Sequence, residues 1–302
     1  MTLSKFLDPK NDVAFRKIFG SEKNKDILIH FINDIMSYTD NNIIEEVTFL
    51  STIQNPEIAY KKESIVDVLC KAKNGAQIIV EMQVSPTKGF EKRAQYYASK
   101  AYSRQLDSGQ EENGLYANLK EVIFIAICNY NIFPKKEEYI SHHIILDKKT
   151  YENDLKDFSF SFIELKKFPI TKIEDLTTII EKWCYFFKYA LKTKEQDLKD
   201  IIGSDLVIER AYEALNQFNW SENDLLAYEK EIKRVWDNRA AEDYMKEAAE
   251  AIGEARGEAR GEAMGAEKKA IEIAKNLLKL GMSIDSIAVS TGLAHEQIKK
   301  IF

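Results

Sequence analysis

The feature that most constrains this chain is a pair of Val- and Ile-rich runs, Ile65-Val66-Asp67-Val68-Leu69 and Ile78-Ile79-Val80-Glu81-Met82-Gln83-Val84, separated by Asn74-Gly75. Such runs on either side of an Asn-Gly pair predict a β-hairpin, with strands over residues 63–73 and 76–85. Side chains alternate faces along a strand, so Val80, Met82 and Val84 share one face and Glu81 and Gln83 the other. Each run thus embeds one carboxylate among apolar neighbours. A charge in such a place is costly unless it is paired, solvated or bound to a cation.

The register depends on the turn. With a two-residue turn at Asn74-Gly75, Lys73 pairs with Ala76 and Asp67 lies opposite Met82, away from Glu81. With a three-residue loop, Lys73-Asn74-Gly75, and Gly75 in the left-handed conformation, Ala72 pairs with Ala76 and Asp67 falls opposite Glu81. Opposed residues hold their Cβ atoms about 4.5–5.5 Å apart, where two carboxylates repel unless one is protonated or a cation lies between them. Oxygen-rich acidic sites suit Mg²⁺ or Mn²⁺. An ion held there can lower the pKa of an attacking water and offset charge growing on a phosphate, the chemistry of phosphodiester hydrolysis. Asp67 and Glu81 are therefore candidate metal ligands. Gln83 cannot act as a base, but its amide can orient the water. By spacing alone, the two acids also fit solvated positions on the open face of a hairpin.

Elsewhere, residues 13–36 carry apolar side chains at helical spacing around a break at Gly20-Ser21, which predicts two short helices. A strand is expected over 47–51, a helix over 90–106, and strands over 121–128, 142–146 and 160–165. From residue 173 the pattern is helical only, over 176–191, 206–218 and from 221 onward. The chain therefore divides into an α/β core (1–172), a helical region (173–250), a repeat helix or connector (251–282) and a tail (283–302).

Composition bounds the function. The 302 residues are 45% apolar and 30% charged, as in a folded soluble protein. The N-terminus lacks the apolar run of a signal peptide, and the longest apolar stretch, 122–128, is too short to span a bilayer. A cytoplasmic protein with no membrane association is expected. Cys70, Cys128 and Cys184 are odd in number and widely spaced, so they read as reduced core residues. A net charge of -6 means that nucleic acid could be bound only through a local basic face.

The helix after the hairpin offers that face. Lys88, Lys92, Arg93, Lys100 and Arg104 stand against the single acid Glu91. Arg93, Tyr97, Lys100 and Arg104 share one side at helical spacing. Arg93 belongs nearest a scissile phosphate because its fork matches phosphate oxygens. Lys92 lies in the same basic run, and Tyr97 is placed to support Glu81 or the phosphate.

The segment DPKNDVAFRKIFG (residues 8–20), the IVDVL and IIVEMQ strands and the helix EKRAQYYASKAYSRQL together resemble the recombination-promoting nuclease/putative transposase family, a branch of the PD-(D/E)XK nucleases. The resemblance covers most of the chain. It implies a restriction-endonuclease-like core with a mixed β-sheet flanked by helices, and Mg²⁺-dependent endonuclease activity on DNA, with Mn²⁺ a substitute. It also implies Asp67 and Glu81 as metal ligands, Gln83 in the place of the usual lysine, and a setting in recombination, mobile elements or phage defence. Val66 stands where the wider superfamily has proline. The missing lysine leaves its charge to metal ions or to Lys88 or Lys92, or leaves a catalytically weak nucleic-acid-binding or regulatory protein. A transposase activity does not follow from these residues, because hydrolysis alone joins no strands. Asp12 is either an accessory acid at the site or a helix N-cap.

Adjacent His142 and His143 point to opposite faces of a strand and do not suggest joint metal binding. Residues 253–265 repeat Gly-Glu-Ala-(Arg/Met), and the glycines line one stripe of a weak helix. Such a stripe fits close packing on another helix, as in a homodimer through the C-terminal helices, or a solvated connector. Residues 283–298 carry the spacing of a helix-turn-helix with Ser283 as cap. Its partner could be DNA, another protein or the nuclease core.

Overall fold

The computed structural model describes residues 4–54, 64–106 and 115–301. Two compact units emerge, Met1–Ile232 and Lys233–Phe302. The first begins with α1 (Asp12–Phe19) and α2 (Lys25–Met36), broken at Gly20-Ser21 as the sequence predicts. The Asn11 side chain caps α1 by accepting from the N–H groups of Val13 and Ala14. The cap is thus Asn11, and Asp12 is the acid of the first turn, where it complements the helix dipole.

Five strands follow: β1 (Val47–Phe49), β2 (Ile53–Gln54), β3 (Ser64–Ile65), β4 (Val68–Ala72) and β5 (Gln77–Gln83). Then come α3 (Phe90–Ser103), β6 (Val122–Cys128), β7 (Ile140–Ile144) and β8 (Phe158–Glu164). The main sheet has the order β1-β4-β5-β6-β8-β7. It is mixed, since β6 runs parallel to both β5 and β8 while the remaining pairs are antiparallel. Parallel neighbours need a crossover, and α3 lies in the one between β5 and β6. Every residue of β6 is buried, which explains its unbroken apolar run.

One sheet face, including Val68, Cys70, Ile78, Val80 and Ile125, packs on the aromatic layer of α1, α2, α4 (Ile179–Tyr189) and α6 (Leu206–Leu215). Trp183, Phe186 and Phe187 of α4 are fully buried in this layer. The opposite face, including Leu69, Ile79, Phe124 and Ala126, receives α3 through Phe90, Ala94, Ala98 and Ala101. Small alanines at this spacing let the helix lie close against the sheet.

Three expectations change. The strand over 63–73 begins at Glu63, outside the described residues, and within them it is interrupted at Val66-Asp67, where the chain leaves β5 and β3 pairs with β2. The strand over 142–146 is shifted to Ile140–Ile144, set by pairing with β8. The short helix α5 (Glu195–Ile202) was not among the expected elements, although Leu198, Ile201 and Ile202 fall at the i, i+3, i+4 spacing of one helical face.

His142 and His143 use separate partners, the Ser161 and Ser141 hydroxyls at 2.8 and 3.0 Å. All three cysteines are buried free thiols, and burial raises their pKa values, that of Cys70 to about 12. Among the described residues, no helix is long and apolar enough to cross a membrane.

The helix α7 (Glu222–Lys279) contains the boundary between the units and carries the glycine repeat. An added Cβ at Gly253, Gly257, Gly261 or Gly265 would meet nothing within 4 Å, so the stripe is not packed against another helix of this chain among the described residues. In the second unit, α8 (Ile284–Thr291) and α9 (His295–Lys299) join through Gly292 at φ 72°. Ser283 caps α8 by accepting from Ser286 N–H. Ile287, Leu293 and Ile298 pack on Ala274 and neighbouring apolar residues of α7, giving a small three-helix core.

Candidate active site

The hairpin takes the three-residue loop. Val68 pairs with Val80 and Cys70 with Ile78, the register that sets Ala72 against Ala76. The Ala72 N–H donates to the Ala76 carbonyl at 2.8 Å, and the Gly75 N–H donates to the Ala72 carbonyl at 2.9 Å. Gly75 has φ 95°, which a residue with a Cβ adopts only under strain. Asn74 Oδ1 accepts from the Ala76 N–H and fixes the loop.

Counting along this register brings Asp67 opposite Glu81, and the two exchange side chain for backbone. Glu81 Oε1 accepts from the Asp67 N–H at 3.0 Å, and Asp67 Oδ2 accepts from the Met82 N–H at 2.9 Å. Both carboxylates therefore fill the gap in the ladder where β3 has turned away. Glu81 is only 4% exposed. Burial, and then the Asp67 charge, push its pKa up to about 8, against the opposing influence of the Asp67 N–H, Arg93 and Gln83. Loss of water around the carboxyl is the larger cause and the neighbouring charge the smaller.

Gln83 bridges Glu81 to a cation. Its Nε2 donates to Glu81 Oε2 at 3.2 Å, while its Oε1 accepts from Arg93 Nη2 at 2.6 Å. The amide thus holds two partners in place, a different task from the water orientation expected of it. Arg93 stands over the Phe90 ring at 4.9 Å and the Tyr97 ring at 5.9 Å. Its buried Nε has no hydrogen-bond partner among the described residues. Tyr97 lies in the same field: burial raises its pKa first, with Glu81 and Asp67 adding to the rise and Arg93 opposing it.

From α3, Arg93 brings positive charge to the acids through Gln83. Lys88 and Lys92 are exposed and make no hydrogen bond or ion pair with the site among the described residues. Lys100 lies about two turns further along α3, its Nζ 6.0 Å from the Tyr96 ring centre, and Arg104 is the C-cap of that helix. One contact had no signal in the strand pattern: Arg16 Nη2 of α1 reaches Asp67 Oδ1 at 3.1 Å. The spacing within residues 8–20 places Arg16 on a helix but cannot show which strand it meets.

Hard carboxylate oxygens, one of them on a group whose pKa is raised by burial and then by its neighbour's charge, are the donors that suit a divalent cation such as Mg²⁺. Among the described residues, no group of three or more His, Cys, Asp or Glu side chains is gathered to hold a metal ion. The donor set would thus be two carboxylates completed by water, a common arrangement for Mg²⁺.

A family model described as PD-(D/E)XK nuclease family transposase matches residues 9–245. The chain belongs to this family. Its nuclease domain is an α/β, restriction-endonuclease-like core, and the resemblance read from the hairpin and its flanking helices is correct. A second model, the C-terminal helix-turn-helix domain of the Rpn/YhgA-like nuclease family, matches residues 267–302. That segment includes the end of α7 as well as α8 and α9, in accord with their shared core. No curated protein and no solved structure matches the chain.

Proposed function

We propose that this PD-(D/E)XK nuclease-family protein is a divalent-metal-dependent DNA endonuclease, with Asp67 and Glu81 as the metal ligands. The observation that carries the reading is the three-residue register, which sets the two carboxylates against each other at the break in the ladder. A bound Mg²⁺ or Mn²⁺ would supply a water of lowered pKa and charge compensation at the phosphate.

The chain's own residues do the rest. Glu81 would hold the cation as its carboxylate, and Gln83 keeps it aligned while tying Arg93 to it. Arg93, partly desolvated and preorganised, donates to a phosphate oxygen as charge grows there, in place of the absent lysine. Tyr97 packs Arg93 in position, and Lys92, Lys100 and Arg104 extend the basic side of α3 along the DNA backbone. Asp12 is an accessory acid in this reading, and the helix-turn-helix unit contributes DNA binding.

The test is cleavage of plasmid DNA with Mg²⁺, Mn²⁺ or EDTA by wild type, Asp67→Ala and Glu81→Ala. Metal-dependent cutting that falls by at least about 10²-fold in each variant is the expected result. DNA that is bound and never cut would instead mark a binding or regulatory protein that keeps the nuclease fold. Cutting undiminished in both variants overturns the site assignment.

A further inference from the structure

We propose that Arg16 is the counterion of Asp67 in the metal-free site, and that it exchanges Asp67 for a DNA phosphate when a divalent cation takes Asp67 Oδ1. This rests on the metal-dependent reading above. The two oxygens of Asp67 are held differently. Oδ2 accepts from the Met82 backbone, which is fixed by the sheet, whereas Oδ1 is paired with the Arg16 guanidinium at 3.1 Å.

The Asp67 side chain is 11% exposed and that of Arg16 is 48% exposed, so the cation is the partner that solvent already reaches. Packing does not need it there. Helix α1 buries Ala14, Phe15, Ile18 and Phe19, and Arg16 points away from that face. Arg16 and Arg93 also come from helices on opposite faces of the sheet, α1 and α3, and meet the site at different atoms, Asp67 and Gln83.

A guanidinium on Oδ1 competes with a divalent cation, because both need the same lone pairs and the two positive charges repel at contact distance. Once displaced, Arg16 stands half-exposed beside the acids with an unused planar fork, the geometry that matches phosphate oxygens. The site would then stay charge-compensated before metal arrives and gain a DNA contact after it.

Mn²⁺ binding to the full-length protein without DNA, read from the paramagnetic resonance of free Mn²⁺, tests the first half in wild type, Arg16→Gln, Arg16→Lys and Asp67→Asn. Arg16→Gln should bind roughly threefold to tenfold tighter, with Arg16→Lys between it and wild type. Fluorescence anisotropy of a labelled duplex in Ca²⁺, across a salt series, tests the second half. There Arg16→Gln should flatten the slope of log K against log salt by about one phosphate contact.

Unchanged or weaker Mn²⁺ binding in Arg16→Gln, with binding abolished in Asp67→Asn, overturns the exchange and leaves Asp67 as a ligand. Tighter Mn²⁺ binding with an unchanged salt slope overturns the transfer to phosphate. Wild type that binds no Mn²⁺, or binding that survives Asp67→Asn, overturns this inference and the metal-site reading together.

Discussion

Glu81 shows how a single residue carries two opposed requirements. Its carboxyl sits in a buried ladder position that favours the neutral form, yet a metal ligand must be charged. Its folded pKa, about 8, lies above the ordinary value, so the folded state binds more protons than the unfolded state between roughly pH 4.5 and 8. Stability of the EDTA-treated protein should therefore fall as pH rises through that window. Glu81→Gln, which cannot ionise, should flatten that part of the profile in denaturant melts; a wild-type profile identical to that of the variant would refute the shift. Arg93 is tied to the same carboxyl through Gln83. Arg93→Ala should lower single-turnover cleavage by about 10²-fold with Mn²⁺ affinity little changed, and Arg93→Lys should restore only part, because one ammonium cannot reproduce the fork. A large loss of Mn²⁺ affinity in Arg93→Ala would instead show that it shapes the metal site.

At the scale of elements, the hairpin loop decides whether there is a site. Gly75 meets the Lys120 side chain as well as needing a positive φ: a Cβ there would lie 2.8 Å from Lys120 Cγ. Gly75→Ala should cost on the order of 1 kcal/mol or more in chemical denaturation, and cleavage should weaken with it because the Asp67–Glu81 register hangs on that loop. Full stability in Gly75→Ala would mean that the loop relaxes without strain. The hairpin's two registers were both legible in the sequence, and the loop Asn74-Gly75 supports either one. The choice is made by the strands around it: β1 pairs with β4, β6 pairs with β5, and Lys120 closes over Gly75. The break at Val66-Asp67 was not legible for a similar reason. An apolar run signals a strand, but its partner can change partway along without any change in composition.

At the scale of the whole molecule, the two units have separate cores of very different size, one spanning both faces of a six-stranded sheet and the other centred on Ala274, Ile287, Leu293 and Ile298. Hydrogen exchange should accordingly open α8 and α9 well before β6, whose amides should exchange only with global unfolding of the first unit; equal protection in both would mean one cooperative unit. The exposed glycines of α7 permit a second test. With open space at each position, Gly257→Ala and Gly261→Ala should each stabilise the helix by about 1 kcal/mol, seen as greater helicity by circular dichroism at constant sedimentation. A loss of oligomer mass would reveal close packing between copies instead. The amino-acid sequence by itself determined most of the elements, the placement of Glu81 and Gln83 on one strand face, the basic character of α3 and the terminal helix-turn-helix, because periodicity, turn chemistry and caps are local. Only the tertiary structure decided that Asp67 meets Glu81, that Gln83 carries Arg93 to the acids, and that Arg16 arrives from the other face of the sheet. Those contacts join segments far apart in the chain, and local pattern cannot fix which distant side chain neutralises a given charge.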